Sequence, residues 1–88
     1  MRTIRLRDDK VEWREVEGEI VALDLGRSVY LAINRTGALL WPAVCEGTTR
    51  AQLVDTLVAA YSIEAAAAGP DVDAFVADLE RQGLLEEA

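Results

Sequence analysis

The stretch Arg27–Trp41, RSVYLAINRTGALLW, decides the fold. Its first part, Ser28 to Ile33, is rich in β-branched and aromatic side chains, which is strand composition. Asn34 then stops the strand, and its side chain suits the N-cap of a helix by accepting a bond from a following N–H. Beyond it Ala38, Leu39 and Trp41 take up helical spacing. The chain before this junction reads as β, and the chain after it reads as α.

Working back toward the N-terminus, Val11–Val16 and Ile20–Leu25 are strand candidates around Glu17-Gly18-Glu19. Gly18 suits the positive φ of a three-residue hairpin with a bulge. That loop sets Val16 opposite Ile20, Trp13 opposite Leu23 and Val11 opposite Leu25. One face then carries Val11, Trp13, Val21, Leu23 and Leu25. A two-residue loop would set Trp13 against Ala22 and Val11 against Asp24, which mixes the faces, so the first register is preferred. By the same logic Gly26-Arg27-Ser28 is a loop that sets Leu25 opposite Val29, Leu23 opposite Leu31 and Val21 opposite Ile33. The third strand then buries Val29, Leu31 and Ile33 and leaves one edge without charge, proline or bulge to guard it. Residues 1–10, with Ile4 and Leu6 alternating, read as a loose arm or an extra short strand.

Working forward, the first helix runs from about Arg35 to Glu46, bent at Pro42 and closed by Gly47. Thr49-Arg50-Ala51-Gln52 fits a capping box, and Leu53, Leu57, Val58 and Tyr61 share one face of a second helix ending near Tyr61. Ile63–Gly69 is ambiguous between a helical turn and a loop. The third helix is expected to start at Gly69-Pro70-Asp71, with Val72, Phe75, Val76 and Leu79 as its apolar stripe. Gly83 closes it, and Leu84 and Leu85 fold back. The order β-β-β-α-α-α implies an α+β domain spanning 1–88, a three-stranded antiparallel sheet followed by three helices.

Composition removes several functions. The 88 residues include no histidine and one cysteine, Cys45, so Cys/His zinc sites and histidine triads are excluded within one chain. No metal or cofactor is expected. One thiol and no signal-peptide pattern favour a reducing, cytoplasmic setting, and no apolar run is long enough to span a membrane. The net charge is −7, and it is unevenly placed: residues 1–50 hold 8 bases and 8 acids, residues 51–88 hold Arg81 against 8 acids. A nucleic-acid binder shows the opposite sign on its recognition element. Carboxylate pairs such as Asp71/Asp73 read as solvated charge rather than acid–base catalysts. What remains is an unguarded edge strand and an acidic helix with an apolar stripe, which side by side would form a groove for an added peptide strand.

Over Val11–Leu85 the chain resembles the PqqD family, the leader-peptide-binding modules also called RiPP recognition elements. The resemblance rests on GEIVALDL, YLAINRTGALLW, TTRAQLVDTLVAAY and DVDAFVADLERQGLL, and most of all on Asn34-x-x-Gly37 with Trp41 and on the D-x-x-x-F-x-x-x-L ending. It implies a winged-helix-like fold and a non-enzymatic role. The leader of a ribosomal precursor peptide would add as a strand between the third strand and the third helix. The module would then present it to a modifying partner, a radical SAM enzyme in pyrroloquinoline quinone assembly or a leader peptidase and cyclase in lasso peptide assembly. By position the strand contacts would be Val29, Tyr30, Leu31 and Ala32. The helix contacts would be Asp71, Val72, Phe75, Val76, Asp78 and Leu79. The acidic flank suggests a leader with at least one Lys or Arg. The Gly69-Pro70 lead-in departs from the family's plain helical one. A monomer or weak homodimer is expected, with a winged-helix DNA-binding regulator and a self-pairing structural domain as the alternatives.

Overall fold

In the computed structural model, residues 3–7 and 11–86 are described. Three strands, β1 (Val11–Val16), β2 (Glu19–Asp24) and β3 (Val29–Ile33), precede three helices, α1 (Arg35–Glu46), α2 (Arg50–Tyr61) and α3 (Ala65–Arg81). The sheet is antiparallel in the order β1-β2-β3, so β3 is an edge. One face of the sheet packs on α1, and α2 lies between α1 and α3. The centre of the core is Leu40, Trp41, Val44, Leu53, Leu57, Val72 and Leu79.

The hairpin register differs from the expected one by one residue. Val16 pairs with Glu19, Trp13 with Ala22 and Val11 with Asp24. The loop is Glu17-Gly18 alone, with φ of 54° and 83°, the paired positive angles of a two-residue turn whose twist matches the strands. The shift carries into the second pairing, Ile20 with Ile33, Ala22 with Leu31 and Asp24 with Val29. The connection there is Leu25–Ser28, four residues rather than three, with Ser28 at φ 55°. Val11, Leu31 and Ile33 keep their inward face and Trp13 packs edge-on against Trp41, but Trp13 and the expected core residue Val29 stay 45% and 38% exposed, and β2 turns over. Ile20, Ala22 and Asp24 are buried, while Val21 and Leu23 are half-buried and Leu25 is exposed.

The mixed face is tolerated because Asp24 is fully partnered. It is 2% exposed. Its Oδ2 accepts from Arg7 Nη2 at 3.1 Å and Arg27 Nε at 3.0 Å. Its Oδ1 accepts the Gly26 and Arg27 backbone N–H groups at 3.0 and 3.3 Å, which shapes the turn. Arg27 also donates to the Gln82 carbonyl at the end of α3. One carboxylate thus ties the N-terminal arm, the β2–β3 turn and the C-terminus together. Burial alone would raise its pKa, but the Arg27 side chain, the Arg27 N–H and the charges of Arg7 and Arg27 outweigh that and hold it below 3.8.

Of the arm, residues 3–7 are seated rather than loose; Met1, Arg2 and residues 8–10 lie outside the described residues. Ile4 exchanges backbone bonds with Thr48 at 2.7 and 2.8 Å, and Leu6 N donates to Val44 O at 2.9 Å. Both apolar side chains are buried.

The first two helices have the expected bounds. Asn34 Oδ1 accepts from Gly37 N at 3.0 Å, and Thr49 and Gln52 form both bonds of the capping box. Pro42 lies inside α1 without ending it. The third helix starts earlier than expected, at Ala65. Four alanines are strong helix formers, and Glu64 O accepts the Ala67 and Ala68 N–H groups at 2.9 and 3.0 Å. Pro70 therefore sits in the second turn, where it forfeits one bond. At the other end Gly83 N bonds Glu80 O and Leu84 N bonds Leu79 O, a Schellman motif with Leu84 and Leu79 both buried.

Candidate functional site

Between the β3 edge and α3 lies a groove of ≈ 300 Å³. Leu31, Ala32 and Ile33 form the strand wall, Asp71, Ala74, Phe75, Asp78 and Leu79 the helix wall, and Asn34, Thr36 and Gly37 close one end. The helix wall follows from periodicity, since positions 71, 74, 75, 78 and 79 fall on one stripe of a 3.6-residue helix. The strand wall follows from topology. β3 pairs only with β2, so its other side presents unpaired backbone N–H and C=O groups among the described residues.

Gly37 sets the depth of the groove. A Cβ there would stand 2.5 Å from Ile33 Cγ2 and 3.0 Å from Phe75 Cε1. With no side chain at Gly37, the Phe75 ring settles against the first turn of α1, and the ring stays half-buried with one face on the groove.

Of the ten residues singled out from sequence, Leu31, Ala32, Asp71, Phe75, Asp78 and Leu79 come together around this groove. Val29 and Tyr30 are exposed on β3, at 38% and 71%, outside the lining. Val72 is wholly buried in the core. Val76 is 7% exposed and belongs to a second depression with Ile4, Ala51 and Ala77, on another side of α3. The apolar stripe of α3 thus divides: Val72 and Val76 turn away from the groove, Phe75 turns to it, and Leu79, at 1% exposed, lies at the seam between core and groove. Sequence reasoning passed over Ile33, Asn34, Thr36, Gly37 and Ala74 as lining. Ala74 lies one helical turn before Asp78, and in the sequence Asn34 stands out as an N-cap and Gly37 only as a family feature.

The groove is acidic. Asp71 makes no ion pair among the described residues, while Asp78 pairs with Arg81 one turn away. Asp73 faces away, held by Arg50 at 2.7 and 3.1 Å. That hydrogen bond keeps the Asp73 carboxyl below 3.8. No group of three or more potential metal ligands occurs among the described residues. Burial, with Glu46 adding, pushes the Cys45 thiol up, so it is a poor nucleophile.

The profile described as Coenzyme PQQ synthesis protein D (PqqD) matches residues 19–85. Among solved structures, TbiB1 in complex with the TbiA(beta) leader peptide is similar, with a TM-score of 0.84, 26% identity and 96% of each chain covered. A lasso peptide synthetase B1 complexed with the leader peptide is also similar, with a TM-score of 0.80 and 26% identity over 94% of this chain and 96% of that one. No curated protein matches. The matched span runs from β2 through the Schellman motif and takes in both walls of the groove: this chain belongs to the PqqD family.

Proposed function

We propose that this chain is a non-catalytic module that binds the leader of a ribosomally made precursor peptide as a fourth strand on β3, against α3, and presents it to a modifying enzyme. The observation that carries the reading is the open β3 edge facing the Phe75 wall across a groove. Backbone bonds to the edge would supply affinity, and the side-chain lining would supply selectivity. The likeness to two chains solved with their leader peptides supports it. It also favours a lasso-type pathway, with a leader peptidase and cyclase as partner, over the radical SAM branch. The acidic walls and the net charge of −7 speak against the DNA-binding alternative. No helix among the described residues is long and apolar enough to cross a membrane, which is compatible with the cytoplasmic site of precursor synthesis.

The test is titration with a synthetic leader of a lasso-type precursor peptide, followed by amide NMR shifts. The largest shifts are expected at Val29–Ile33 and along the Asp71–Leu79 face. Phe75→Ala should weaken binding by about tenfold or more, as loss of a central aromatic anchor does. Saturable binding that leaves the β3 amides unmoved, or that Phe75→Ala does not change, would overturn the groove assignment.

A further inference from the structure

The groove has a charge pattern as well as a shape, and the pattern constrains the peptide. Asp71 and Asp78 lie seven positions apart on α3 with Phe75 between them. At 1.5 Å per residue the two carboxylates are about 10 Å apart along the helix, and Phe75 is about 6 Å from Asp71. An extended strand turns alternate side chains to one side, about 6.6 Å per pair of residues and about 13 Å over four. A peptide strand on β3 therefore sets positions i, i+2 and i+4 along α3. Position i+2 meets Phe75, and i and i+4 reach the two aspartates, with long flexible side chains taking up the small excess.

The lining holds no Lys or Arg that could answer the two carboxylates. Asp71 has no ion pair among the described residues. Asp78 has Arg81, whose side chain is 71% exposed, and such surface pairs are weak enough to be exchanged for a peptide cation. Between the carboxylates the wall is apolar, with Ala74 and Phe75. We infer that the groove selects an extended segment with the alternating pattern basic-x-apolar-x-basic, the two Lys or Arg side chains on Asp71 and Asp78 and the apolar one on Phe75. The inference rests on the proposed strand addition at β3 and adds to it the chemical class of the segment that is read.

The experiment is selection from displayed random ten-residue peptides against the full chain, with sequencing of the enriched pool. Enrichment of Lys or Arg four positions apart around an apolar residue is expected. Against the doubly substituted chain, Asp71→Lys with Asp78→Lys, the same library should enrich Asp or Glu at those two positions. Asp71→Asn with Asp78→Asn, both exposed and nearly isosteric, should weaken an enriched basic peptide by about two- to thirtyfold, the sum of two exposed ion pairs. Peptides that enrich without that spacing, yet shift the Val29–Ile33 amides, would overturn the pattern and leave strand addition standing. Peptides that bind without moving those amides, or no enrichment at all, would overturn both.

Discussion

Gly37 lies against Phe75 across the junction of α1 and α3: a Cβ there would stand 3.0 Å from Cε1 and 3.1 Å from Cδ1 of the ring, which would have to give by a few tenths of an ångström. Ile33 Cγ2, at 2.5 Å, blocks the other way out. Gly37→Ala must therefore displace the Ile33 side chain or shift the first turn of α1 away from it and onto the ring of the groove wall. Overpacking of this kind costs about 1–3 kcal/mol, reduced by roughly 0.5–1 kcal/mol because alanine is the better helix former. The ring is the freer of the two, being half-buried where Ile33 is 6% exposed. The expected outcome is a modest loss in urea stability and a larger loss of leader affinity. Phe75→Leu placed in the same chain should recover the stability by vacating the space.

Asp24 makes stability pH-dependent. Its folded pKa lies below the ordinary 3.8 because Arg27 and Arg7 outweigh the effect of burial. A depressed carboxyl contributes stability that is fully present above its unfolded pKa and is lost as pH falls through the folded one. Acid should therefore loosen the chain below about pH 4, and the exposed Asp73–Arg50 pair, depressed in the same direction, adds a small part. Asp24→Asn keeps an acceptor for the turn N–H groups but removes the counter-charge for two arginines. It should lower the urea midpoint at neutral pH and flatten the acid limb. An unchanged limb would mean that Asp24 is not its source.

The turn Glu17-Gly18 can be improved. Glu17 sits at φ 54°, a left-handed conformation that a glutamate tolerates poorly and asparagine adopts readily. Asn-Gly is the preferred pair for a two-residue turn with both φ positive. Glu17→Asn should stabilise the chain by about 0.5–1 kcal/mol in urea denaturation, and the gain should be independent of the leader, because Glu17 lies outside the groove. If the loop were the three-residue one, the same change would bring no such gain.

That turn also marks where the sequence misled. The helix bounds of α1 and α2 were readable because their signals are local: an N-cap at Asn34, a capping box at Thr49 and a closing glycine at Gly47. The Schellman end of α3 was readable for the same reason. Strand register is not local. Its sequence signal is the grouping of apolar residues on one face, and Asp24 defeats that rule because Arg7, 17 residues earlier, and Arg27 in the adjoining turn neutralise it. The start of α3 was misplaced because Gly69-Pro70 is a strong local stop signal, whereas Glu64 and the four alanines begin the helix before the proline is reached. The groove was partly legible for a similar reason. Phe75, Asp78 and Leu79 follow from helical period, while the lining by Gly37 depends on α1 and α3 touching.

The division of α3 into a core stripe and a groove stripe separates two variants that the sequence alone would group together. Val72 is 0% exposed, and Phe75 is half-buried with its ring on the groove. Val72→Ala removes two buried methyl groups, worth about 0.8 kcal/mol each, and leaves a cavity, so a loss of about 2 kcal/mol is expected. Once folded, that variant retains both walls of the groove, so its leader affinity should lie within about twofold of the parent, less than the roughly tenfold that one hot-spot contact is worth. Phe75→Ala should do the reverse, with a smaller loss of stability and a large loss of affinity. Urea denaturation and leader titration on the same two variants read this crossing directly. If Val72→Ala weakens the leader as much as Phe75→Ala does, the leader contacts the inner stripe, and the two faces of α3 are not separate.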